Sequence, residues 1–511
     1  MAEIFRSILF VDGAPVPDSQ APPEILGDLN LDQIIEGATS SRDEYDLKPF
    51  FYAPLCEANA ILYRQEVVTD LEGEALRRRV EEFATAMRRV REELVRAGKL
   101  YYKLQKQWWF VDAVEVYCGA VSGLAAGLEA IAVTSRAFNA FRDYLAGLAA
   151  TESFRSLGAE ATRLKERLAT IRYSLIIKDD ALSVRAYEDE QDYSVAVEAT
   201  FRKFSQGDGK DYRVPFRETI ELNHVEAAAL DFVARLNPDV FSELDLFCTG
   251  RADFLDPVIK RFDREIQFYL SYRDYVRGLR EAGLPFVTPE LAIADKRVAV
   301  TEGFDLALAK KLAGTGGEIV CNDFHLDGRE RIIIVSGPNN GGKTTFARMF
   351  GQMHYLARLG LKTPGRAARL LLSDAVFTHF EREEKIENLR SKFEEDLLRV
   401  RDILQRATGR SIIVMNESFS STSLQDAAFI GRQVVRRVIE KDLICLFVTF
   451  VEELARLSDT SVSMVSTIVS GDPASRTYKI VRRPADGRAY AIAVAEKYGL
   501  TYQQLRERIG A

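Results

Sequence analysis

A glycine-rich segment of this chain carries the residue types that could bind a phosphate chain. The apolar run Ile332 to Val335 leads into Gly337-Pro-Asn-Asn-Gly-Gly-Lys343-Thr-Thr345, and a helical pattern follows. Glycines at this spacing let backbone N–H groups surround phosphate oxygens, and the start of a helix adds a partial positive charge. In a G-x-x-x-x-G-K-T loop the lysine reaches the β- and γ-phosphates and the next hydroxyl, here Thr344, ligates Mg²⁺. The predicted nucleotide-binding residues are Gly337, Pro338, Asn339, Asn340, Gly341, Gly342, Lys343, Thr344 and Thr345.

A second segment ends an apolar strand with an amide and an acid. Ser411-Ile-Ile-Val-Met415 is followed by Asn416 and Glu417. A carboxylate at this place can orient the water that attacks the γ-phosphate, so Glu417 joins Lys343 as a candidate catalytic residue. The position before it ordinarily holds an Asp of the Mg²⁺ shell, so Asn416 is predicted to be a weaker metal ligand than an Asp would be. Alone, this segment could also be a buried strand with a polar end.

The glycine-rich segment resembles the G-P-N-x-G-G-K-[ST]-T loop of the MutS family of ABC-type ATPases. Four further segments resemble that family in the same order, and they are 388–396, 416–426, 446–454 and 489–500. The resemblance implies a homodimer that uses ATP and Mg²⁺, in which Ser391 contacts the γ-phosphate held by the partner subunit. Through the weaker match of 318–323, it also implies that Asn322 belongs to the segment that packs around the adenine.

The sequence departs from the family pattern at several of these positions. Ile319 stands where the family has the aromatic that stacks on adenine, Ser421 replaces a glycine, and Phe450 replaces a histidine. A histidine can hydrogen-bond to a γ-phosphate, whereas phenylalanine cannot. Phe450 therefore predicts slow or differently triggered hydrolysis.

Length and composition predict a folded chain of about three domains. It has 511 residues, of which 47% are hydrophobic and 28% are charged. We expect a poorly defined N-terminal leader over 1–50, a mainly helical core and lever region over 51–290, and an α/β P-loop ATPase domain over 291–511. Apolar residues at helical spacing predict long helices in the second part, and they include Val80, Phe83, Met87, Val90 and Leu94.

A small strand-containing, clamp-like insertion is expected near 171–221. The runs from Leu175 to Tyr187 and from Tyr193 to Phe201 are rich in residues that favour strands. In MutS proteins an insertion at this place closes around DNA. Here it holds eight Lys or Arg against eleven Asp or Glu, and a net acidic insertion is poorly suited to gripping a duplex. This composition disfavours DNA as the partner.

A basic stretch lies elsewhere, between Arg77 and Lys106, and Trp108 and Trp109 follow it. Lysines and arginines beside aromatic residues could track a nucleic-acid backbone and stack on its bases. The alternative, which the sequence favours, is a solvated helix whose aromatic residues enter the core.

The cysteines, one apolar run and the N-terminal segment indicate the cellular location and which functions are not expected. Five scattered cysteines without a C-x-x-C pair predict a reducing, cytoplasmic location. The uncharged run from Val116 to Leu128 is shorter than the roughly 20 residues of a membrane span, so no membrane association is expected. The segment before residue 51 has no room for the family's mismatch-reading domain, and we expect mismatch reading to be absent.

Three functions of different classes follow from these features. The first is a dimeric ATPase that couples ATP hydrolysis to binding of DNA structures other than mismatches. The second is an ATP-gated clamp on a protein or RNA assembly, which the acidic insertion favours. The third is a nucleotide-dependent switch with little turnover, which Asn416, Ile319 and Phe450 favour.

Overall fold

The computed structural model describes residues 5–11, 21–178, 181–189, 222–381, 392–469 and 472–484, with isolated positions at 193, 196, 197, 199, 200 and 506. The helices are α1 Ile25–Asp28, α2 Leu31–Thr39, α3 Lys48–Tyr52, α4 Ala58–Asp70, α5 Glu74–Lys99, α6 Lys103–Ala130, α7 Arg136–Ala150, α8 Glu152–Ala169, α9 His224–Leu236, α10 Pro238–Gly250, α11 Pro257–Glu281, α12 Leu306–Ala313, α13 Lys343–Arg358, α14 Lys392–Arg406 and α15 Leu424–Glu440. Short 3₁₀ turns lie at Asp43–Tyr45 and Glu452–Arg456.

The strands, in chain order, are β1 Tyr173–Lys178, β2 Ala181–Ala186, β3 Phe286–Val287, β4 Glu290–Ala292, β5 Val298–Gly303, β6 Asn322–Leu326, β7 Ile332–Ser336, β8 Thr363–Pro364, β9 Ala367–Leu371, β10 Val376–Phe380, β11 Ile412–Asn416, β12 Ile444–Val448, β13 Ser461–Val469 and β14 Asp472–Arg482. The predicted combination of a helical region with several sheets is confirmed.

The chain divides into two compact units. The helical unit comprises Met1–Phe5, Gly73–Val133 and Asn139–Asp263, and the sheet unit comprises Arg6–Glu72, Thr134–Phe138 and Arg264–Ala511. The expected division at residues 50 and 290 stays a prediction.

Long helices dominate the helical unit, where α5 and α6 pack against each other and α6 also packs against α8. The apolar positions predicted on α5 face the interior: Val80, Phe83, Met87 and Val90 are buried, and Leu94 is half-buried. This side of α5 is buried because residues three and four apart lie on one face of a helix.

The basic stretch is largely neutralised within the helical unit. Arg78 and Arg79 both pair with Glu82, and Lys103 pairs with Asp245. The guanidinium of Arg96 lies 4.4 Å from the ring centroid of Trp109. The ion pairs agree with the favoured interpretation of a solvated helix. Its second part was wrong, because Trp108 is exposed and Trp109 is only half-buried, so these aromatic residues do not enter the core.

The insertion region contains the first of the two predicted strand segments. Strands β1 and β2 form an antiparallel pair in which Leu175 lies opposite Val184. The second prediction was wrong at the positions that the structure describes, because Tyr193, Ala196, Val197, Ala199 and Thr200 are helical. Alanine is the strongest helix former, and the Thr200 hydroxyl donates to the carbonyl of Ala196 as in a helix. Most of 190–221 lies outside the described residues.

A six-stranded sheet with the order β10-β11-β12-β7-β13-β14 organises the sheet unit. Its first five strands are parallel, and β14 pairs antiparallel with β13. Every residue of β7, β11 and β12 is buried, as expected for parallel strands covered on both faces. Residues of α14 and α15, including Val400, Ile403 and Val435, pack with β7, β11 and β12 in one apolar core.

A second sheet, of order β4-β9-β5-β6, completes the sheet unit together with the short pair β3 and β8. Residues 21–50, which belong to the expected leader, hold α1, α2 and the start of α3. Leu31, Ile34, Ile35 and Ala38 on α2 are buried, a spacing that places them on one helical face.

Helix α6 is long and apolar enough to cross a membrane when judged by length and composition alone. The helix extends well beyond the run from Val116 to Leu128 that the sequence analysis weighed. More than half of its most apolar window is buried inside the protein. A core helix passes the same test, so this finding is weak support for a membrane span.

Candidate functional site

The glycine loop, residues 337–345, connects β7 to α13 at the carboxyl edge of the parallel strands. Three of its residues have left-handed backbone conformations: Gly337 has φ of +121°, Asn340 of 59° and Gly342 of +87°. At Gly337 a Cβ atom would lie 3.0 Å from the Cβ of Ser466, so both conformation and space require glycine there. Helix α13 begins at Lys343, directly after Gly342 of the loop.

Ser466 on β13 braces this loop, and the sequence analysis did not identify it. Its hydroxyl donates to the carbonyl of Gly341 at 2.6 Å, and the side chain is fully buried. A Cβ atom at Gly341 would lie 2.2 Å from that hydroxyl oxygen. The contact arises because β13 runs parallel to β7, which brings Val465 opposite Ser336. A serine 125 residues away from the loop gave no sequence signal of this role.

Lys343 is almost fully buried, with 6% of its surface exposed. Its ammonium donates to the carbonyls of Gly337 at 3.1 Å and Pro338 at 3.0 Å, and it lies 3.8 Å from a carboxylate oxygen of Glu417. Burial lowers the pKa of Lys343; the Glu417 carboxylate opposes this change and Arg476 adds to it. The site therefore keeps a desolvated cation beside the glycine loop.

Asn416 is the last residue of β11, and Glu417 comes directly after it. Strand β11 lies between β10 and β12 in the sheet. The backbone N–H of Glu417 donates to the carbonyl of Val448 at 3.0 Å, and Glu417 has a left-handed φ of 51°. The buried Oδ1 of Asn416 makes no hydrogen bond within the described part of the chain. Lys343 and Glu417, 74 residues apart in sequence, thus lie close together, and their roles stay predictions.

A cavity of about 720 Å³ opens beside the loop. Its polar lining includes Lys343, Thr344, Thr345 and Glu417, with loop residues 339–342. The rest of the lining is mostly apolar and comes from 304–312 and 318–322, and it includes Phe304, Leu308, Leu312, Ile319 and Asn322. One cavity therefore offers both a cationic and an apolar surface.

Asn322 lines this cavity, but its amide group is also engaged by β14. Its Nδ2 donates to the carbonyl of Tyr478 at 3.2 Å, and its Oδ1 accepts from the N–H of Ile480 at 2.7 Å. These two hydrogen bonds hold the strand on either side of residue 479. Asn322 therefore shapes the cavity by fixing β14 in place.

Tyr478 is an aromatic residue of the cavity that the sequence analysis missed. It has a left-handed φ of 58°, its side chain is 52% exposed, and it lines the cavity together with Ile319. The neighbouring Arg476 donates to the carbonyl of Asn339 in the glycine loop at 3.2 Å. In sequence these residues look like part of an ordinary edge strand, so only the fold brings them to the loop.

Other predicted positions lie apart from the cavity or outside the described residues. Ser391, with 388–390, and the whole of 489–500 are among the residues that the structure does not describe. Phe450 follows β12 and is 49% exposed. In the segment after Glu417, the Ser423 hydroxyl accepts from the N–H of Asp426 at 3.2 Å and caps α15.

Comparison with known proteins identifies the region that holds the glycine loop and Glu417. Residues 333–507 match the family model described as MutS domain V. The chain is related to the MutS family. A DNA mismatch repair protein MutS of Clostridium kluyveri is 28% identical over 298 residues, and that of Erythrobacter litoralis is 32% identical over 238 residues. A third MutS, of Shouchella clausii, is 30% identical over 191 residues.

Each match covers only part of this chain and part of the MutS relative. They span 56%, 45% and 37% of this chain, in the same order, and 33%, 27% and 22% of the MutS relatives. The matched region thus accounts for a third or less of each relative's length. The expected relationship to MutS is confirmed.

Proposed function

We propose that the sheet unit is a P-loop ATPase that binds ATP with Mg²⁺ and hydrolyses it. The observation that carries this proposal is the meeting of the buried Lys343 ammonium, the Glu417 carboxylate and the glycine loop at one cavity. Backbone N–H groups of the loop, together with Lys343, would stabilise charge on the phosphates, and Glu417 would orient the attacking water. The match to MutS domain V supports this assignment.

The residues present fit a bound Mg²⁺. This ion takes oxygen ligands, and Asn416 presents a buried amide oxygen that has no hydrogen-bond partner within the described residues. Thr344 lines the cavity, as does Glu417, the residue after Asn416, and Thr344 would supply a hydroxyl oxygen. When bound, Mg²⁺ neutralises charge on the β- and γ-phosphates. Thr344 and Asn416 would hold it, with Asn416 a weaker ligand than a carboxylate because it carries no charge.

We assign the adenine to the apolar side of the cavity. Ile319 cannot supply an aromatic face, but Tyr478 lies at the same cavity and is half exposed. An exposed aromatic ring can stack on a base with a gain of about 1–3 kcal/mol. Tyr478 would therefore supply the aromatic contact that Ile319 cannot provide.

Each site would be completed in a homodimer by Ser391 of the second copy. This part of the proposal rests on the resemblance of 388–396 to the MutS signature segment. A serine hydroxyl from the partner would add a hydrogen bond to the γ-phosphate, so ATP would favour the closed dimer over the open one.

We further propose that ATP turnover is coupled to DNA, in structures other than mismatches. One support is that the relatives are named DNA mismatch repair proteins. The other is the net acidic composition of 171–221, which is poorly suited to binding a plain duplex and so favours a different DNA structure. A second candidate is a slow nucleotide-dependent switch, or ATP-gated clamp, that acts on a protein or RNA partner. The uncharged Asn416 at the metal position favours it.

Steady-state ATP turnover distinguishes these functions. Purified protein would be assayed at near-physiological salt alone and with perfect duplex, mismatched duplex, branched DNA, single-stranded DNA and RNA. Turnover that branched DNA stimulates more than either duplex does, and that is lost in Lys343→Ala, supports an ATPase coupled to DNA structures other than mismatches. Turnover that no DNA changes favours a protein or RNA partner, and ATP binding without turnover favours the switch. Absence of ATP binding would refute the ATPase assignment.

A further inference from the structure

A buried histidine lies behind the turn that carries Glu417. His379 on β10 is fully buried, and its Nδ1 lies 2.7 Å from the hydroxyl oxygen of Ser418, the residue after Glu417. On the other side of the ring, Nε2 lies 3.3 Å from Oδ1 of Asp396 on α14. Ser418 and Asp396 are buried as well. One imidazole thus joins the end of β10, helix α14 and the turn after β11.

This turn has an unfavourable backbone that needs anchoring. Glu417 and Phe419 have φ of 51° and 65°, in the left-handed region that residues with a Cβ atom rarely adopt. Each such residue costs on the order of 1 kcal/mol, and the surrounding contacts must hold it in place. Phe419 is held by burial and by its ring, which lies 6.1 Å from the imidazole of His379. Ser418, between the two, is held by its hydrogen bond to the same imidazole.

Two groups flank the imidazole, one at each ring nitrogen. Nδ1 and the Ser418 hydroxyl form a hydrogen bond, in which the tautomer of the ring decides which of the two donates. Nε2 lies beside the Asp396 carboxylate without a well-directed hydrogen bond. A carboxylate accepts hydrogen bonds, so Asp396 favours the ring orientation in which Nδ1 faces Ser418.

Helix α14 is tied to β10 by a second contact. Arg399, three residues after Asp396, donates to the carbonyl of Phe380 at 3.2 Å. Phe380 in turn lies opposite Asn416 in the parallel register of β10 and β11. The strand end next to Asn416 and Glu417 is thus held from α14 by two side chains.

We propose that His379 is a positioning residue for Glu417, with Ser418 as the link and Asp396 as the group that orients the imidazole. This inference rests on the proposed ATPase function. It assigns His379 no contact with ATP; the imidazole acts by keeping the strained 417–419 turn in the conformation that presents the Glu417 carboxylate. Misplacing a catalytic group by about 1 Å can slow a reaction about a hundredfold.

Substitutions that keep or remove one contact at a time test this role. Ser418→Ala and His379→Leu remove the link, and both should lower kcat roughly tenfold or more while the KM for ATP changes less than about twofold. His379→Asn places an amide near the position of Nδ1 and should recover most of the activity. Asp396→Asn should fall between these limits. The double variant Ser418→Ala with His379→Leu should be no slower than the worse single variant, because both break the same contact.

His354→Leu is the matched control. His354 is also fully buried in the sheet unit, and its Nδ1 lies 2.8 Å from the carbonyl of Phe350 on its own helix. Its replacement should lower the melting temperature without changing kcat. If His379→Leu and Ser418→Ala keep the wild-type kcat, or if kcat and ATP affinity fall together as in a general loss of structure, the inference is overturned.

A second measurement separates this inference from the ATPase proposal. Amide hydrogen exchange of 417–419 should be faster in Ser418→Ala and His379→Leu than in the wild type, and unchanged in His354→Leu. This readout needs no turnover. Unchanged exchange would refute the positioning role even in an active enzyme, whereas faster exchange in a chain without ATPase activity would refute the proposed function alone.

Discussion

At the scale of single residues, the site is defined by a buried cation and two polar groups around it. Lys343 and Glu417 carry opposite charges 3.8 Å apart, and Asn416 contributes an amide oxygen with no partner among the described residues. The Lys343 ammonium is held by two carbonyls of the glycine loop, which compensate part of the cost of burying its charge. A nucleotide with Mg²⁺ would bring phosphate oxygens to the ammonium and a cation to the amide oxygen of Asn416.

Lys343→Met should abolish nucleotide binding without destabilising the ligand-free chain. Because burial lowers the pKa of Lys343 from 10.5, the folded chain holds this proton less tightly than the unfolded chain does. The charged lysine thus costs stability at neutral pH, and this cost disappears as the pH rises through the folded pKa toward 10.5. We expect at least roughly a hundredfold loss of turnover. Urea denaturation of the ligand-free variant at pH 7 should show equal or greater stability.

The control for this prediction is Lys441→Ala, because Lys441 donates to the carbonyl of Ala407 and does not line the cavity. It should retain turnover. A clear loss of ligand-free stability in Lys343→Met would contradict the conclusion that the ammonium is incompletely compensated.

Asn416→Asp should increase the affinity of the site for Mg²⁺. A carboxylate at this buried position adds a negative charge to the ligand set, so half-maximal activation should need less Mg²⁺ and turnover should rise by about tenfold. The ligand-free chain should become less stable, because the added charge is desolvated. Activity titrated against Mg²⁺ and melting temperatures with and without Mg²⁺-ADP check both parts. Unchanged Mg²⁺ dependence would remove Asn416 from the metal site.

At the scale of secondary-structure elements, the edge of the parallel sheet positions the site. Strand β7 delivers the glycine loop, β11 delivers Asn416 and Glu417, and β13 delivers Ser466. Their neighbouring positions in the sheet follow from the order β11-β12-β7-β13. Ligands commonly bind outside the carboxyl ends of parallel strands, where loops from several strands meet. The antiparallel β14 adds Tyr478 from the opposite direction.

Ser466→Ala should weaken ATP binding with little effect on kcat. It removes the hydrogen bond to Gly341, worth about 1 kcal/mol, and so loosens the loop that binds the phosphates. We expect the Kd for ATP to rise roughly fivefold. Ser463→Ala, on the same strand, is the matched control, because the buried Ser463 hydroxyl has no hydrogen-bond partner within the described residues. Equal effects of the two substitutions would show that Ser466 has no specific role.

At the scale of the whole molecule, the proposal requires two copies of the chain. Lys343 and Glu417 meet within one sheet unit, whereas the proposed contact of Ser391 comes from the second copy. In a two-fold symmetric dimer both sites have the same composition. Each site would then use Lys343 of one subunit and Ser391 of the other, so a substitution at either residue would inactivate the site to which that residue belongs.

Mixing two inactive variants tests this arrangement. Lys343→Ala and Ser391→Ala homodimers should each be inactive, but an equimolar mixture that exchanges subunits forms heterodimers with one intact site. The mixture should regain about a quarter of the wild-type turnover, because about half of the dimers carry one working site of two. Failure to recover activity, after sedimentation has verified subunit exchange, would show that Ser391 acts on its own subunit's site or on neither.

Much of the site could be predicted from sequence because its main parts are short and local. The loop from Gly337 to Thr345, with Asn416 and Glu417 at a strand end, is recognisable from residue types and spacing, since the chemistry of phosphate and metal binding limits what can stand there. The long helices were predicted for a similar reason: apolar residues recur on one face. Sequence reasoning was weaker where strand preference competes with helix preference, as between 193 and 200.

Only the tertiary structure revealed the residues that reach the site from distant parts of the chain. Ser466, Tyr478 and His379 lie on strands whose sequences carry no motif, and their roles depend on which strands are neighbours. The same holds for Asn322, whose amide binds the backbone of β14. Local spacing thus determined which chemistry this protein carries, whereas strand order determined which side chains brace, line and align it, because such contacts depend on distances in space and not along the chain.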